Sequence, residues 1–149
     1  MKHGLVDNEI YNKILEKRPK DWDYEFANEV YAEVERQKYF ITNLGKCTQV
    51  DARPLPDEVL KQYLYLLEKE IEIINPKAVV LFGNQVSSIV LNKKISVSQC
   101  RKKVFTKIIN GKRYNCYPVF YPVGNGSFNV QKSIEDILYI MKKINNEEV

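Results

Sequence analysis

Apolar positions along the chain follow two periods. Ile10, Ile14 and Leu15 fall on one face of a short helix that Asp7 or Asn8 would cap and Pro19 would end. Phe26, Val30, Tyr31 and Val34 repeat that spacing and predict a second helix over residues 22–37. The pattern then changes. Residues 38–43 (KYFITN) are rich in β-branched and aromatic side chains and predict a buried strand. A loop over residues 44–55 holds Gly45, Cys47 and Pro54.

Pro56, Asp57 and Glu58 open one long helix, with proline in the first turn and acids at the positive end of the dipole. Leu60, Tyr63, Leu64, Leu67 and Ile71 would form its buried face, and Asn75-Pro76 would stop it. Residues 78–82 (AVVLF) are continuously apolar, as in a parallel strand covered on both faces. Gly83 turns that strand into a short helix over residues 84–91, and a basic stretch follows over residues 93–103.

Residues 104–109 and 112–117 flank Asn110-Gly111 and predict a hairpin with a type I′ turn, because both turn residues tolerate positive φ. Residues 118–123 read as a further short strand, ending in Gly124-Asn125-Gly126. The last helix, residues 130–144, would bury Val130, Ile134, Ile137, Leu138 and Met141.

Strands alternating with helices imply a single α/β domain over residues 1–149. The expected architecture is three layers, α/β/α, around a small, mainly parallel sheet with a hairpin on one side. Ligands of such sheets bind at the carboxyl ends of the strands. Three segments reach that edge: Thr42-Asn43-Leu44, Phe82-Gly83-Asn84 and Tyr121-Pro122-Val123-Gly124.

Composition narrows the function classes. Hydrophobic residues at 44% and charged residues at 28% are ordinary for a globular domain and exclude a disordered or fibrous chain. A net charge of +4 and a pI near 8.8 permit nucleic-acid binding without requiring it, since a clear basic footprint begins above a pI of about 9. Cys47, Cys100 and Cys116 are odd in number and form no C-x-x-C spacing, against a disulfide framework or a zinc site. No apolar run approaches the roughly 20 residues of a membrane span, and no signal core follows Met1. The chain reads as cytoplasmic, with no membrane partner. His3, the one histidine, lies at the terminus, which removes histidine-based triads.

The ordered strand ends also carry a resemblance. Tyr39-Phe40-Ile41-Thr42-Asn43-Leu44-Gly45-Lys46-Cys47 resembles the isoleucine–threonine–asparagine … lysine–cysteine segment of the iron–sulfur uracil-DNA glycosylases. Pro54 to Glu58 and Glu70 to Lys77 resemble the helix that follows in that family, and Ala78 to Gly83 its next strand and glycine. Phe120-Tyr121-Pro122 stands where the family carries histidine–proline. The likeness extends over about residues 38–140.

The departures are equally specific. The family's opening strand and its glycine–glutamate–alanine–proline–glycine loop, whose carboxylate positions the attacking water, have no counterpart here. The expectation is a fold lacking its first strand, either because the chain starts after that element or because the domain has lost it. Tyr121 replaces the histidine. Of four cluster cysteines only Cys47 is matched, with the fourth ligand expected near Gln62, so no cofactor and no metal site are expected.

The resemblance implies base-excision chemistry on uracil-containing DNA. Asn43 would read the flipped base, since its amide offers a donor and an acceptor side by side; the same residue also reads as an asparagine closing a strand. Tyr121 would donate its hydroxyl toward uracil O2, or is a packed aromatic. Gly83 and Pro122 fall among the family's substrate-contacting positions.

Gly124, Asn125, Gly126 and Ser127 precede a helix, where glycines and free N–H groups would receive a phosphate; they read equally as a connection capped by Asn129. Lys46, Arg53, Lys93, Lys94, Arg101, Lys102 and Lys103 are candidate phosphate contacts or solvated surface. Alternatives are a catalytically degenerate member that binds nucleic acid or a protein, and an incomplete glycosylase whose exposed sheet edge pairs with a second copy.

Overall fold

The computed structural model describes residues 4–51 and 53–146, without the side chain of Asn125; His3 lies outside the described residues. The chain forms two compact units, one reaching to Thr42 and the other starting at Asn43.

In the first unit Asp7 caps α1 (Asn8–Glu16) by accepting from the Glu9 amide, and Asp23 caps α2 (Tyr24–Arg36) by accepting from the Phe26 amide. Trp22 meets Phe26 edge to face at 4.9 Å between centroids. The α2 face differs from the predicted one. Tyr31 is exposed, whereas Glu33 is buried. A carboxylate can take that place because it is fully bonded: the Asp7 amide donates to it at 2.7 Å, Arg36 at 2.8 and 3.0 Å, and Gln37 at 2.8 Å.

The strand expected over residues 38–43 is absent among the described residues. The chain leaves α2 through Lys38 with φ of 59° and continues in irregular form, with Phe40 and Ile41 exposed. β propensity describes fit to a pleated, half-buried surface, and here no strand is paired beside the segment to supply one.

The second unit holds a three-stranded sheet in the order β1-β3-β2, formed by β1 (Val79–Phe82), β2 (Phe105–Ile109) and β3 (Lys112–Val119). β1 runs parallel to β3, with Val79 opposite Cys116 and Phe82 opposite Val119. β2 is antiparallel to β3 across Asn110-Gly111, whose φ values of 48° and 77° fit the expected type I′ turn. The hairpin is therefore no decoration. Its second arm continues through residues 118–119, absorbs the start of the strand predicted separately, and becomes the middle of a mixed sheet.

Helices cover both faces, as three layers require. Leu81, Tyr114 and Cys116 pack with Leu60 of α3 (Asp57–Gln62), Leu67 and Ile71 of α4 (Leu64–Ile74) and Ile89 and Val90 of α5 (Asn84–Leu91). Tyr117 and Val119 pack with Ile140 of α7 (Val130–Asn146) on the other face. The single long helix predicted from residue 56 is interrupted at Tyr63, whose ψ of −6° breaks the α geometry for one residue. Asn75 ends α4 in the left-handed conformation, donating its amide to Ile71 O at 2.8 Å. A short α6 (Val97–Cys100) lies inside the basic stretch and buries Val97 and Cys100.

The α7 face is also rotated from the predicted one. Ser133, Asp136 and Ile140 are buried, while Val130 and Leu138 are partly exposed at 39% and 37%. The two polar residues have partners that periodicity cannot foresee. Ser133 Oγ donates to Phe120 O at 2.8 Å, and the Asp136 carboxylate accepts from Arg101 at 2.9–3.2 Å.

Candidate active site

Parallel pairing brings the carboxyl ends of β1 and β3 to one edge, the place where open α/β sheets bind ligands. The Gly83 amide donates to Val119 O at 2.8 Å and closes the pair. Gly83 itself has φ of 87° and ψ of 165°, a region open only to glycine, and this lets the chain turn at once into α5. A Cβ built on Gly83 would lie 3.5 Å from Tyr121 Cβ.

Past β3 the chain runs through Phe120, Tyr121 and Pro122 into a 3-10 turn, Gly124–Asn129, that leads directly into α7. Asn129, the expected helix cap, is buried in this turn, and its carbonyl also lies within hydrogen-bonding distance of Ser133 Oγ, at 3.1 Å. A Cβ on Gly126 would stand 1.9 Å from Tyr121 O, so only glycine permits the turn to close over Tyr121. Gly83, Tyr121 and Gly126 thus form one cluster, with Pro122, Gly124 and Ser127 in the segment between and beside them.

Tyr121 is 54% exposed. Val123 and Phe128 in the same segment are exposed too, Phe128 at 80%. Lys132 Nζ sits 5.4 Å from the centre of the Phe120 ring and places a cation beside the cluster. Asn43 is exposed in irregular chain just before the buried Leu44. Among the described residues no hydrogen bond or ring contact joins Asn43 to the Tyr121 cluster.

Of the two residues that follow Gly83, sequence reasoning placed Asn84 at the ligand edge without a role and missed Gln85. Asn84 Oδ1 accepts from the Val97 amide at 2.9 Å and fixes the basic stretch. Gln85 Nε2 donates to Leu55 O and Asp57 Oδ1, each at 2.8 Å, and fixes the end of the loop over residues 44–55. Their position in the first turn of α5, just past a strand end, was the available signal.

The candidate phosphate contacts divide. Lys46 is bonded to both Glu70 oxygens at 2.8 Å, Arg53 to Asp51 at 2.7 Å, and Arg101 to Asp136 and Glu135. Lys94, Lys102 and Lys103 are exposed, and Lys93 lies over the Phe105 ring at 5.3 Å.

A four-thiolate iron–sulfur cluster does not fit the residues present. The chain has three cysteines, and Cys100 and Cys116 are buried within α6 and β3, whereas Cys47 is exposed. Burial pushes the Cys116 thiol up to about 11, far from the thiolate a cluster needs. Cys47 lies instead beside Tyr63 and raises the pKa of that phenol. No group of three or more His, Cys, Asp or Glu side chains able to hold a metal occurs among the described residues. No described helix is long and apolar enough to cross a membrane.

The sequence model of the Uracil DNA glycosylase superfamily matches residues 8–138. A type-4 uracil-DNA glycosylase of Saccharolobus solfataricus is 34% identical over 92 residues, which are 58% of this chain and 42% of the relative. A type-4 uracil-DNA glycosylase of Sulfurisphaera tokodaii is 30% identical over 94 residues, 60% of this chain and 42% of the relative. In both, the aligned part spans less than half of the curated relative's length.

Proposed function

The chain belongs to the Uracil DNA glycosylase superfamily, and on that premise we propose that it acts on uracil in DNA, hydrolysing the N-glycosidic bond of a flipped base. The observation that carries this reading is the cluster of Gly83, Tyr121 and Gly126 at the carboxyl edge of the parallel strand pair, inside the span the family model matches.

The chemistry divides among the residues by type. The departing base carries developing negative charge, so a donor near O2 lowers the barrier. Tyr121 supplies a neutral O–H there, a competent hydrogen-bond donor and a weak acid. Asn43 reads the Watson–Crick edge, its amide matching O4 and N3–H of uracil. The 3-10 turn at Gly124–Asn129 receives the DNA backbone, its glycines allowing close approach. Phe128 and Val123 present apolar surface to the gap the flipped base leaves in the stack. Water is the nucleophile. The chain works without an iron–sulfur cluster of its own, which iron and acid-labile sulfide analysis of the purified protein tests.

The direct experiment incubates the protein with single- and double-stranded DNA bearing one uracil, followed by alkali. Strand scission by the parent, abolished in Asn43→Ala, supports the reading and puts Asn43 in the base pocket. Equal scission by both removes Asn43 from the pocket. A folded parent that binds uracil-DNA and releases no base overturns the catalytic reading.

A further inference from the structure

Residues 100–103 form a tight turn, with the Lys103 amide donating to Cys100 O at 3.1 Å. Arg101 has φ of −50° and ψ of 137°, and Lys102 has φ of 62°. Those angles describe a type II turn, whose third position is the preserve of glycine and asparagine. A lysine is strained there, and backbone strain that persists points to a use for the side chain that carries it.

The neighbours of Lys102 say what that use is. Arg101 is bonded to Asp136, which is wholly buried, and also to Glu135 and the Lys132 carbonyl. It anchors the turn on α7 and occupies both carboxylates of that stretch of the helix. The Lys102 ammonium then sits 5.7 Å from the centre of the Tyr139 ring, and the Lys143 ammonium 5.9 Å from the same ring. Both lysines are exposed, and neither pairs with a carboxylate among the described residues. The two ammoniums put a double positive charge beside one ring, with no carboxylate among the described residues paired to neutralise it. Lys143 is thirteen residues past Val130, about 20 Å along α7 from the turn that packs on Tyr121.

We propose that Lys102 and Lys143, flanking Tyr139, form a backbone-phosphate site that takes duplex DNA flanking the reacting nucleotide. It rests on the glycosylase reading only for the identity of its polyanion, and Arg101 and Asp136 act as its positioning residues. The site contributes affinity independent of base sequence and sensitive to salt.

The test uses the full chain and a short, uracil-free duplex, with affinity measured over a series of NaCl concentrations. Lys102→Gly removes the charge and gives the turn the residue it prefers; Lys143→Gln removes the other charge on an exposed helix position. Each substitution should lower the slope of log affinity against log salt by roughly one, and the pair by roughly two. Lys102→Gly should melt no lower than the parent. Inorganic phosphate in excess should compete no better than chloride at equal ionic strength; specific competition would make this a free-phosphate site and overturn the duplex assignment.

Slopes equal to the parent's, or a parent without affinity for the duplex, also overturn the proposal. Uracil release from single-stranded DNA, measured on the same samples, separates the two readings. An active parent with unchanged slopes sinks this site alone. Reduced slopes in a protein that releases no uracil support this site and sink the glycosylase reading.

Discussion

Gly126 lies so close to Tyr121 that a methyl group on its Cα would reach within 1.9 Å of the Tyr121 carbonyl oxygen. The obstructing atom is backbone, so neither residue can give way by a rotamer change. Gly126→Ala should displace the 3-10 turn and, with it, the ring of Tyr121. Overpacking of this kind costs about 1–3 kcal/mol, a tolerable loss for a core built elsewhere. A displacement of about 1 Å at a reacting centre costs about 100-fold in rate. On the proposed glycosylase reading, uracil release by Gly126→Ala should therefore fall about 100-fold while thermal melting drops by only a few degrees, as kinetics and calorimetry on one sample would show.

Arg101 and Asp136 predict the reverse, a large effect on stability. Asp136 is wholly buried, and its ionised form is compensated by the guanidinium at 2.9–3.2 Å. Arg101→Ala leaves that carboxylate in place without its partner. Removing one member of a buried pair costs about 3–5 kcal/mol. Partial exposure of the Arg101 side chain, at 28%, admits water and favours the lower end. Arg101→Ala should lower the melting temperature by roughly 6–12 °C. Asp136→Asn, which leaves no buried charge, should cost less; equal losses in the two variants would show that Asp136 is not the group being compensated.

These cases show where the sequence was legible. The apolar run of β1 announced a covered strand, and Asn110-Gly111 announced the hairpin, because each signal is local and its cause is local. The strand-end cluster was legible for the same reason, as glycines next to predicted strands. The buried faces of α2 and α7 were misread because Glu33, Ser133 and Asp136 are acceptable in a core only through partners distant in sequence or invisible to hydropathy. KYFITN had the composition of a strand, and composition cannot supply a neighbouring strand. The roles of Asn84 and Gln85 were not legible because their work is to bind loops brought near only by folding.

The three thiols should differ in reactivity. Cys47 is exposed, while Cys100 and Cys116 are buried. Burial raises the pKa of both buried thiols, Cys116 to about 11, so neither burial nor charge state favours their attack on an alkylating agent. Iodoacetamide at pH 8 should label the native protein once, at Cys47, with Cys100 and Cys116 labelled only in denaturant. Mass spectrometry of the labelled peptides reads this directly, and rapid native labelling of Cys116 would contradict its place in the centre of the sheet.

Glu33 sets an acid limit on the first unit. Bonds from Arg36, Gln37 and the Asp7 amide hold its carboxyl down to about 2, against 4.5 for the free group. The folded form therefore binds the Glu33 proton more weakly than the unfolded form does. Its stabilising contribution is complete above about pH 4.5 and disappears as the pH falls toward 2. Glu33→Gln keeps the shape and removes the titration. The parent should melt above the variant at pH 7, the gap should narrow between pH 4.5 and 2, and the two should converge near pH 2. Helical circular dichroism across that range measures it; a gap independent of pH would show that the carboxylate's charge plays no part in holding α1 to α2.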